Sequence, residues 1–390
     1  MYNYIPLEQA ADILDLYRKP VNSKERLNLI KGKPLDELFP YYGATGQVGW
    51  IDSFLTDGEY ILLGEDGAPF LNPYAEKAYI IHGKTWVNNH AHILRSKTNN
   101  EFLCYYLNYF NYKKYVSGTT RLKLTQAQMR KIPIPNIPSD EQSRIVARIE
   151  ELFSKLDKAV DTLKTTKEQL EVYRQAVLKD AFQETENIIR LGDAIEKPRY
   201  GTSKKCDYSC TANSTAVLRI PNIDTKNGRV DSSDLKYAEF NEKELEQLSL
   251  KTGDILIIRS NGSISLVGSS AIIRKCDTDK TYAGYLMRLR ILNKEKLLPQ
   301  YLLYYLSSPD ARRYIESVAK STSGVNNINS QEISKLCVPL SSIEKQEKTV
   351  AEIEMKLSVY HEIEKSVDTV LVQADAMRQS ILKQAFEGAL

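Results

Sequence analysis

The chain has 390 residues, of which 42% are hydrophobic and 26% charged, and its formal net charge is +3. This length predicts two or three domains, each large enough to bury a core, and the composition excludes a largely disordered protein. No apolar run approaches the roughly 20 residues that span a bilayer, the first residues do not form a secretory signal, and five scattered cysteines favour a reducing compartment. We therefore expect a soluble cytoplasmic protein.

The first half of the chain begins with a strand-rich region. Short runs of β-branched and aromatic residues at Glu59–Leu63 and Tyr79–Ile81, bounded by Gly, Asn and Asp, predict strands. A Tyr-rich amphipathic helix is predicted over Glu101–Tyr115, and a Gly/Thr loop follows at Ser117–Arg121. The run Ile132–Pro138 is predicted to be extended, because proline cannot lie inside a helix.

A long helix closes the first half. Ser139 and Gln142 predict a capping box at its start. Apolar residues then recur every three, four or seven positions over about 45 residues, roughly 65–70 Å of helix. The predicted seam comprises Ile149, Leu152, Leu156, Ala159, Leu163, Leu170, Tyr173 and Val177.

The second half repeats this order. Strands are predicted at Asp254–Ile258, Ser270–Ile273 and Leu286–Ile291, and a helix at Pro299–Ala319. A Gly/Asn loop at Ser323–Asn327 precedes a short extended segment and a second long helix. Ser341 and Glu344 predict its capping box. Its predicted seam comprises Ile353, Leu357, Tyr360, Val367, Val370, Ala374, Met377 and Ile381.

The two halves are related by an internal duplication. Leu124–Gln183 aligns without a gap on Ile328–Glu387 at an offset of 204, with 16 identities in 60 positions. A period near 200 residues is far too long for a solenoid, so the chain is a tandem of two half-molecules. Upstream, an offset of 195 aligns two further pairs of segments, Gly58–Gly67 with Gly253–Gly262 and Asn89–Arg95 with Gly284–Arg290.

Each long apolar seam requires a partner, and the other half offers one. Because the second half must return along the first, we expect the two helices to pair as an antiparallel coiled coil with pseudo-twofold symmetry. The alternative is that each helix packs only on its own half.

The sequence contains no convincing catalytic constellation. Ala78–Thr85 matches a loosened phosphate-loop pattern, but the would-be loop is Tyr-Ile-Ile, which favours a strand ending in a Gly turn. Tyr42–Gly49 resembles a dinucleotide loop without the preceding strand or the later acidic residue. Cys206 with Cys210, and His90 with His92, lack a second ligand pair at zinc spacing. We therefore expect a protein that performs no chemistry and holds no metal.

Two diverged domains on a helical spacer would suit a protein that reads two sites at a fixed distance from each other. On B-DNA such a protein could read two different half-sites and leave the bases between them unread. Residues 99–138 and 190–300 each carry a net charge of +5, as a nucleic-acid surface would. Arg and Asn bond base edges, whereas Lys neutralises phosphates. The candidate DNA-binding residues are Tyr42, Thr45, Gln47, Arg121, Lys123, Arg199, Tyr200, Thr202, Ser203, Lys204, Lys205, Arg219, Asn222, Arg259, Asn261 and Ser263, with Arg121 and Lys123 assigned to phosphates.

A resemblance to a known family rests on four groups of segments. They are Tyr41–Asp52 with Gly58–Gly67, Val217–Ile223, Lys251–Gly262 with Tyr282–Tyr285, and the paired Ile-Pro-Ile-Pro and Val-Pro-Leu runs that each lead into a long helix. In this order, twice over, they resemble the specificity (S) subunit of type I restriction–modification systems across essentially the whole chain. One departure is that the glycine loop at Tyr42–Gly49 has no close counterpart in the second half.

The resemblance implies an α+β fold with two pseudo-symmetric halves. Target-recognition domains are expected at residues 1–138 and 187–340, each followed by a spacer helix, at 139–186 and 341–390. The helices would fix the gap between half-sites and dock two modification (methyltransferase) subunits. The expected spacer and docking residues are Leu152, Leu156, Leu163, Leu170, Arg174, Phe182, Leu357, Val367, Met377, Arg378 and Phe386.

The resemblance also implies which molecules act with the chain. It would bind double-stranded DNA and serve host defence without catalysing a reaction. The partner modification subunits would carry S-adenosylmethionine and methylate adenine N6, and ATP-dependent restriction subunits, with ATP and Mg, would cleave. Two alternatives remain open: a two-headed scaffold for proteins, and a nucleotide-dependent enzyme that uses Gly83, Lys84 and Thr85.

Overall fold

The computed structural model describes residues 3–183, 187–322 and 324–388. The chain forms two compact units, unit 1 (Met1–Thr165 with Val367–Leu390) and unit 2 (Thr166–Ser366). Each unit therefore combines one strand-rich domain with parts of both long helices, so the unit boundaries cut through the predicted spacer segments. In the described part of the chain, no helix is both long and apolar enough to cross a bilayer.

Unit 1 is built on a six-stranded sheet. Its strands lie in the order Ala11–Ile13, Ala91–Ser96, Thr56–Gly64, Ala78–Val87, Phe39–Gly43 and Gly46–Ile51. The proline-bounded strand Pro133–Pro135 pairs with Tyr4–Pro6, as an extended segment predicts. The helices of the domain are Leu7–Ala10, Ser23–Ile30, Asn100–Tyr109 and Gln126–Met129, with 3-10 turns at Asp15–Tyr17, Leu35–Glu37 and Tyr112–Lys114.

Unit 2 repeats this plan with more, shorter sheets. The main sheet has the order Arg199–Tyr200, Leu286–Leu289, Ile255–Ile258, Ser270–Ile272, Arg229–Val230 and Ile223–Asp224. The smaller sheets are Lys236–Glu239 with Ser214–Leu218 and Thr281–Tyr282; Ser260–Asn261 with Val325–Asn327 and Lys320–Thr322; and Cys337–Pro339 with Ile188–Arg190. The helices of the domain are Leu191–Ala194, Glu242–Leu248, Pro299–Leu306, Pro309–Val318 and Ser330–Ser334, with 3-10 turns at Ile220–Asn222, Ile264–Leu266 and Lys275–Asp277.

The Tyr-rich helices are shorter than the sequence predicts. The first ends at Tyr109 rather than Tyr115. The second is not continuous to Ala319: it ends at Leu306, and a new helix begins at Pro309 with Ser308 as its N-cap. Proline at the first helical position starts a helix readily but cannot continue one.

The sheet registers correct the alignment of the two halves. Ile61 lies opposite Leu94, and Ile255 lies opposite Leu289. Leu94 and Leu289 keep the predicted offset of 195, but Ile61 and Ile255 are 194 apart. At this offset of 194, Ile61 and Ile255 both lie on the helix-packed faces of their sheets. The offset of 195 for Gly58–Gly67 is therefore wrong, because a slip of one residue moves every side chain to the opposite face.

The long helices span Ser139–Asp180 and Ile343–Phe386. Neither predicted capping box forms. Instead, the buried amide of Gln142 donates to Ile137 O at 2.8 Å, and the buried amide of Gln346 donates to Ser341 O at 2.9 Å. These contacts repeat at the offset of 204, so each helix start is tied to the segment before it by a glutamine.

The helix seam follows a heptad that differs from the prediction at several positions. In the second helix, buried or half-buried residues recur at alternating spacings of four and three, at Ile353, Leu357, Tyr360, Glu364, Val367, Leu371, Ala374, Arg378, Ile381 and Ala385. Val370 and Met377, predicted in the seam, are 44% and 55% exposed. In the first helix Ala159 and Tyr173 are likewise exposed, and Val160 and Arg174 lie in the seam. Charged residues at core positions hid the true repeat from the apolar pattern.

Both helices contribute to both domain cores. In unit 1, Val146 and Ile149 of the first helix share a core with Ile381 and Phe386 of the second. In unit 2, the corresponding core is completed by residues from the end of the first helix and the start of the second, namely Leu178, Phe182, Ile353 and Leu357. The alternative that each helix packs only on its own half is therefore wrong. Within unit 1 Arg378 pairs with Asp157, and within unit 2 Tyr360 bonds Glu171, as an antiparallel pair requires.

Candidate nucleic-acid interface

Three of the loops that the sequence singles out meet around one cleft in unit 2. The cleft has a volume of about 750 Å³. Its lining carries five cationic side chains, Lys204, Lys205, Arg219, Lys236 and Arg259. The remaining lining residues are Tyr200, Gly201, Thr202, Ser203, Cys206, Ile220, Pro221, Ser260, Ala283, Gly284 and Tyr285. Segments about 60 residues apart in sequence thus form one basic surface.

The loop at 199–205 is fixed to the sheet beneath it. Thr202 N–H donates to Tyr282 O at 2.9 Å, and a Cβ at Gly201 would lie 2.2 Å from that oxygen, so only glycine fits. Lys204 is held by Glu244 at 2.7 Å and lies 4.9 Å from the centroid of the Phe240 ring. This ion pair lowers the pKa of the Glu244 carboxyl.

Ser203, Lys204 and Lys205 are exposed in this loop, and Tyr200 is 38% exposed. They are the polar and aromatic groups of the loop that can reach a ligand in the cleft. Thr202 is half-buried, and its Oγ1 accepts from Lys204 N–H at 3.1 Å, so it shapes the loop. Arg199 is exposed but does not line the cleft in the described structure.

The turn at 219–222 corrects one predicted contact. Asn222 is only 1% exposed, and its amide donates to Asp231 O and Asp234 O while its Oδ1 accepts from Arg219 N–H. Its side chain therefore stabilises the turn and is not available to a base. Arg219 faces the cleft with its guanidinium paired to Asp234 at 2.8 Å, and this pair lowers the pKa of Asp234.

Arg259 lines the cleft, and its guanidinium is held by three groups. Its Nη1 donates to Gly284 O at 3.1 Å and its Nη2 to Asn327 Oδ1 at 3.1 Å, while the guanidinium carbon lies 4.3 Å from the centroid of the Tyr200 ring. Tyr200 is fixed in turn, because its hydroxyl accepts from Ser330 N–H at 2.8 Å. Asn261 and Ser263 follow on the same segment, with Asn261 Oδ1 accepting from Ser263 N–H at 2.8 Å, but neither lines the described cleft.

In unit 1 the predicted residues lie on two separate features. The glycine loop is a β-hairpin turn between Phe39–Gly43 and Gly46–Ile51, with Gly46 at φ +130°. Thr45 and Gln47 are exposed on this hairpin. Tyr42, also predicted, is half-buried with its ring 5.9 Å from that of Tyr79. The strand Phe39–Gly43 precedes this loop, although the sequence predicted none there, because Pro40 argues against a strand.

Arg121 and Lys123 are both paired with carboxylates of the neighbouring turn. Arg121 contacts Asp66 at 2.7 Å, and Lys123 contacts Glu65 at 3.1 Å. Both cations remain half-exposed or more. Their local field is therefore partly neutralised, as is that of Lys204 and Arg219 in the cleft of unit 2.

The glycine loop does have a structural counterpart in unit 2. Asn88 N–H donates to Tyr42 O in unit 1, and Ala283 N–H donates to Leu218 O in unit 2. The two donors, Asn88 and Ala283, are equivalent at the offset of 195. The hairpin that begins at Gly43 and the turn that begins at Arg219 therefore leave their sheets at the same place. The two insertions differ in length and residue type, so the sequence showed no similarity.

One position with equivalent backbone hydrogen bonds carries opposite charge in the two units. Glu65 N–H donates to His90 O and Glu65 O accepts from Leu124 N–H; Arg259 N–H donates to Tyr285 O and Arg259 O accepts from Ile328 N–H. These partners are related by the offsets 195 and 204 of the duplication. Glu65 and Arg259 thus occupy the same position in the repeat, and Lys123, the partner of Glu65, corresponds to Asn327, the partner of Arg259.

A buried histidine lies beside Glu65 in unit 1. His92 is fully buried, with its Nδ1 2.8 Å from Asp15 Oδ2 and its Nε2 3.0 Å from Leu124 O. Burial would raise the pKa of Asp15, but hydrogen bonds from His92, Gln126 and the Ile93 N–H, with the charge of His92, outweigh it and lower the pKa. This pair is not visible in the sequence, because its members are 77 residues apart.

The alternative chemical sites do not form as the motifs would require. Gly83, Lys84 and Thr85 lie inside the continuous strand Ala78–Val87, so this segment makes neither a phosphate loop nor the terminal turn that we expected. His90 bonds Asp66 instead of sharing a ligand with His92. Among the described residues, no three His, Cys, Asp or Glu side chains converge as metal ligands.

The spacer residues divide into internal and exposed groups. Phe182 and Phe386 are buried among the rings of the Tyr-rich helices, so they belong to the unit cores. Leu170, Leu357 and Val367 are also buried; Leu152, Leu156, Leu163, Arg174 and Arg378 are half-buried; and Met377 is exposed. An exposed apolar stripe, Met355, Val359 and Ile363, follows the second helix within unit 2.

Comparison with known proteins gives one consistent family. A family model described as the type I restriction modification DNA specificity domain matches residues 11–172. The type I restriction enzyme EcoKI specificity subunit of Escherichia coli K12 is 28% identical over 289 residues, which are 70% of this chain and 61% of that protein. The putative type I restriction enzyme specificity subunit S.HindORF215P of Haemophilus influenzae is 29% identical over 315 residues, 77% of this chain and 74% of that protein. The match to the E. coli subunit thus spans about three fifths of its length.

Solved structures share the fold along the whole chain. A chain from a study of complex assembly and conformational transition of the type I R-M system has a TM-score of 0.72 at 17% identity, covering 100% of this chain and 98% of that one. The HsdS subunit of Thermoanaerobacter tengcongensis has a TM-score of 0.56 at 16% identity, covering 100% and 97%. The family model over residues 11–172 and these relatives make the chain similar to type I restriction–modification specificity subunits, and the solved structures share its fold.

Proposed function

We propose that this chain is the DNA sequence-specificity subunit of a type I restriction–modification complex, in which the strand-rich domain of each unit reads one half of an asymmetric bipartite site. The observation that carries the proposal is the convergence of the loops at 199–205, 219–222 and 259–260 around one basic cleft in unit 2. Such a surface combines cations for phosphates with polar groups for base edges. The names of the curated relatives and the family model support the same function.

The exposed groups suggest how contacts would divide. In unit 2, Lys205 is suited to a phosphate, whereas Ser203 and the ring of Tyr285, 62% exposed, are suited to base edges and methyl groups. In unit 1, Thr45 and Gln47 at the hairpin have the side chains that discriminate bases. Because the hairpin and the turn at Arg219 differ in shape and chemistry at the same place in the repeat, the two half-sites should differ.

The long helices would determine the number of unread bases and dock two modification subunits. The exposed stripe of Met355, Val359 and Ile363 supports docking, since contiguous exposed apolar side chains on a monomer mark interaction surfaces. This chain would act in the cytoplasm without catalysing a reaction. S-adenosylmethionine would be bound by the modification subunits, and ATP and Mg by restriction subunits.

The test is to express the chain with the methyltransferase encoded beside it and to map N6-methyladenine across the host genome by single-molecule sequencing. We expect a two-part asymmetric motif with a fixed unread gap that disappears when this chain is omitted. An active methyltransferase that co-purifies with the chain but methylates no motif would contradict the proposal and favour a protein scaffold.

A second measurement tests the spacer. Removing seven residues from each long helix, at positions matched through the offset of 204, preserves the heptad seam. We expect the unread gap to change length while both half-sites keep their sequences. A gap of unchanged length would contradict the role of the helices as a spacer.

A further inference from the structure

An arginine that the sequence did not single out joins several loops of unit 1. Arg18 precedes Lys19, whose N–H donates to Val87 O at 2.9 Å; in unit 2 the matching bond is from Thr202 N–H to Tyr282 O. The segment that ends at Lys19 therefore corresponds to the loop at 199–205. No arginine of that loop takes the place of Arg18, so an alignment of the halves does not find it.

The guanidinium of Arg18 lies where the guanidinium of Arg259 lies in unit 2. Arg18 Nη1 is 3.5 Å from Asn89 O and donates to Ala91 O at 3.2 Å. Arg259 Nη1 donates to Gly284 O at 3.1 Å. Asn89 and Gly284 are equivalent at the offset of 195, which the bonds from Glu65 to His90 and from Arg259 to Tyr285 establish independently.

The guanidinium at this place belongs to different segments of the chain in the two units. In unit 2 it comes from Arg259, the residue equivalent to Glu65, and is held by Asn327 and the Tyr200 ring. In unit 1 the equivalent position carries Glu65, which instead binds Arg18, and Arg18 is fixed further by Asp15 at 3.1 Å.

We infer that Arg18 is the positioning residue of the unit 1 reading surface and the functional counterpart of Arg259, so that recognition of one half-site depends on it. The inference rests on the proposed function. Arg18 is 16% exposed and its nitrogens are engaged by carboxylates and carbonyls, so it acts by joining loops. Through Glu65 it connects to Lys123, and through the turn at Asn89 to the segment whose Asn88 N–H bonds Tyr42 at the base of the hairpin.

A planar, bidentate guanidinium is required at this junction, and a lysine ammonium cannot bridge the same set of acceptors. Arg18→Ala should therefore relax the base requirement at one half-site, or weaken methylation that depends on that half-site roughly tenfold to a hundredfold. This is the effect expected for the loss of charge-assisted hydrogen bonds. Arg18→Lys should not restore it. Arg259→Ala should affect the other half-site.

The experiment is the methylome map described above, recorded for the full chain in complex with the methyltransferase. The matched control is Arg130→Ala, which removes an exposed arginine of unit 1 whose guanidinium pairs with Glu8 at 3.4 Å, and the motif should remain unchanged. Preserved reading of the unaffected half-site shows that each variant complex is folded.

A rescue variant separates the position of the guanidinium from the identity of the residue. Arg18→Ala with Glu65→Arg and Lys123→Asn gives unit 1 the arrangement of Arg259 and Asn327. We expect it to regain a defined half-site that Arg18→Ala alone has lost.

Three outcomes are informative. Two intact half-sites in Arg18→Ala, or a loss on the same half-site as Arg259→Ala, would overturn the inference while leaving the proposed function standing. No motif in the unmodified complex would overturn the proposed function instead. Relaxation of different half-sites by the two variants supports both.

Discussion

Position 65 of unit 1 and position 259 of unit 2 have the same backbone environment and opposite charge. The backbone N–H of the residue donates to a turn carbonyl, which is His90 O in unit 1 and Tyr285 O in unit 2. Its backbone carbonyl accepts from Leu124 N–H in unit 1 and from Ile328 N–H in unit 2. Glu65 pairs with the cations of Arg18 and Lys123, whereas Arg259 is held by the amide of Asn327 and the ring of Tyr200. Since the duplication, the backbone hydrogen bonds at this position have been preserved, while the charges of the side chains have changed.

The cores of the two units show the opposite behaviour. Phe182 and Phe386, at the offset of 204, both insert into the Tyr-rich helix of their unit, with ring centroids 5.0–5.5 Å apart. Interior packing tolerates little change of volume, whereas an exposed loop tolerates a change of charge. Four predictions test how far this contrast extends.

The largest effect is expected in the cores. Phe386→Ala and Phe182→Ala should each destabilise their own unit by about 3–5 kcal/mol, because each leaves a cavity among buried rings. Hydrogen exchange of the full chain should show lost protection in unit 1 for the first variant and in unit 2 for the second. Loss of protection in both units from either variant would show that the cores do not behave separately.

The next effect distinguishes the units by pH. Asp15 binds His92 in unit 1, whereas unit 2 has the apolar Met287 in place of His92. Because the pKa of folded Asp15 is lowered, its stabilisation is complete above the unfolded pKa, about 3.9, and is lost as the pH falls through the lowered value. Asp15→Asn should cost about 3 kcal/mol at pH 7.

The measurement is urea unfolding of the full chain and of Asp15→Asn between pH 7 and pH 3. The difference in unfolding free energy should shrink as the pH falls below about 4, where unfolded and then folded Asp15 become protonated. A difference that grows on acidification would contradict the assigned ion pair.

A smaller effect is expected in the helix seam. Glu364 is buried at a seam position and pairs with Lys226 at 2.8 Å, while the equivalent residue of the first helix is Val160. Glu364→Val should change stability by less than about 1 kcal/mol, since a buried ion pair rarely outperforms an apolar residue. Lys226→Ala, which leaves the carboxylate without this partner, should cost more. Equal losses in thermal unfolding would argue that the carboxylate has another role.

The smallest effect concerns exposed cations. Arg121→Ala and Lys205→Ala should each alter the stability of the chain by less than about 0.5 kcal/mol. If each neutralises one phosphate, DNA binding should weaken equally for all sequences, and the slope of log affinity against log salt should fall by about 1. A sequence-dependent loss would reassign that residue to a base.

The sequence alone determined the duplication, the strand-rich domains, the long helices and the resemblance to type I restriction–modification specificity subunits. Heptad periodicity, proline positions and repeated segment order are local signals, and they survive divergence because they follow from backbone geometry and burial. The three polar loops of unit 2 could also be identified, since their Gly, Arg and Lys residues have few structural reasons to occur together.

Only the tertiary structure decided which of these residues meet and in what register. The one-residue error at Gly58–Gly67 and the misplaced Val370 and Met377 arose because strand faces and seam positions depend on partners that a single segment does not reveal. The burial of Asn222 and the equivalence of Arg18 with Arg259 depend on contacts between distant segments. Local sequence encodes periodicity, but the place of a guanidinium in space is set by which loops the sheet brings together.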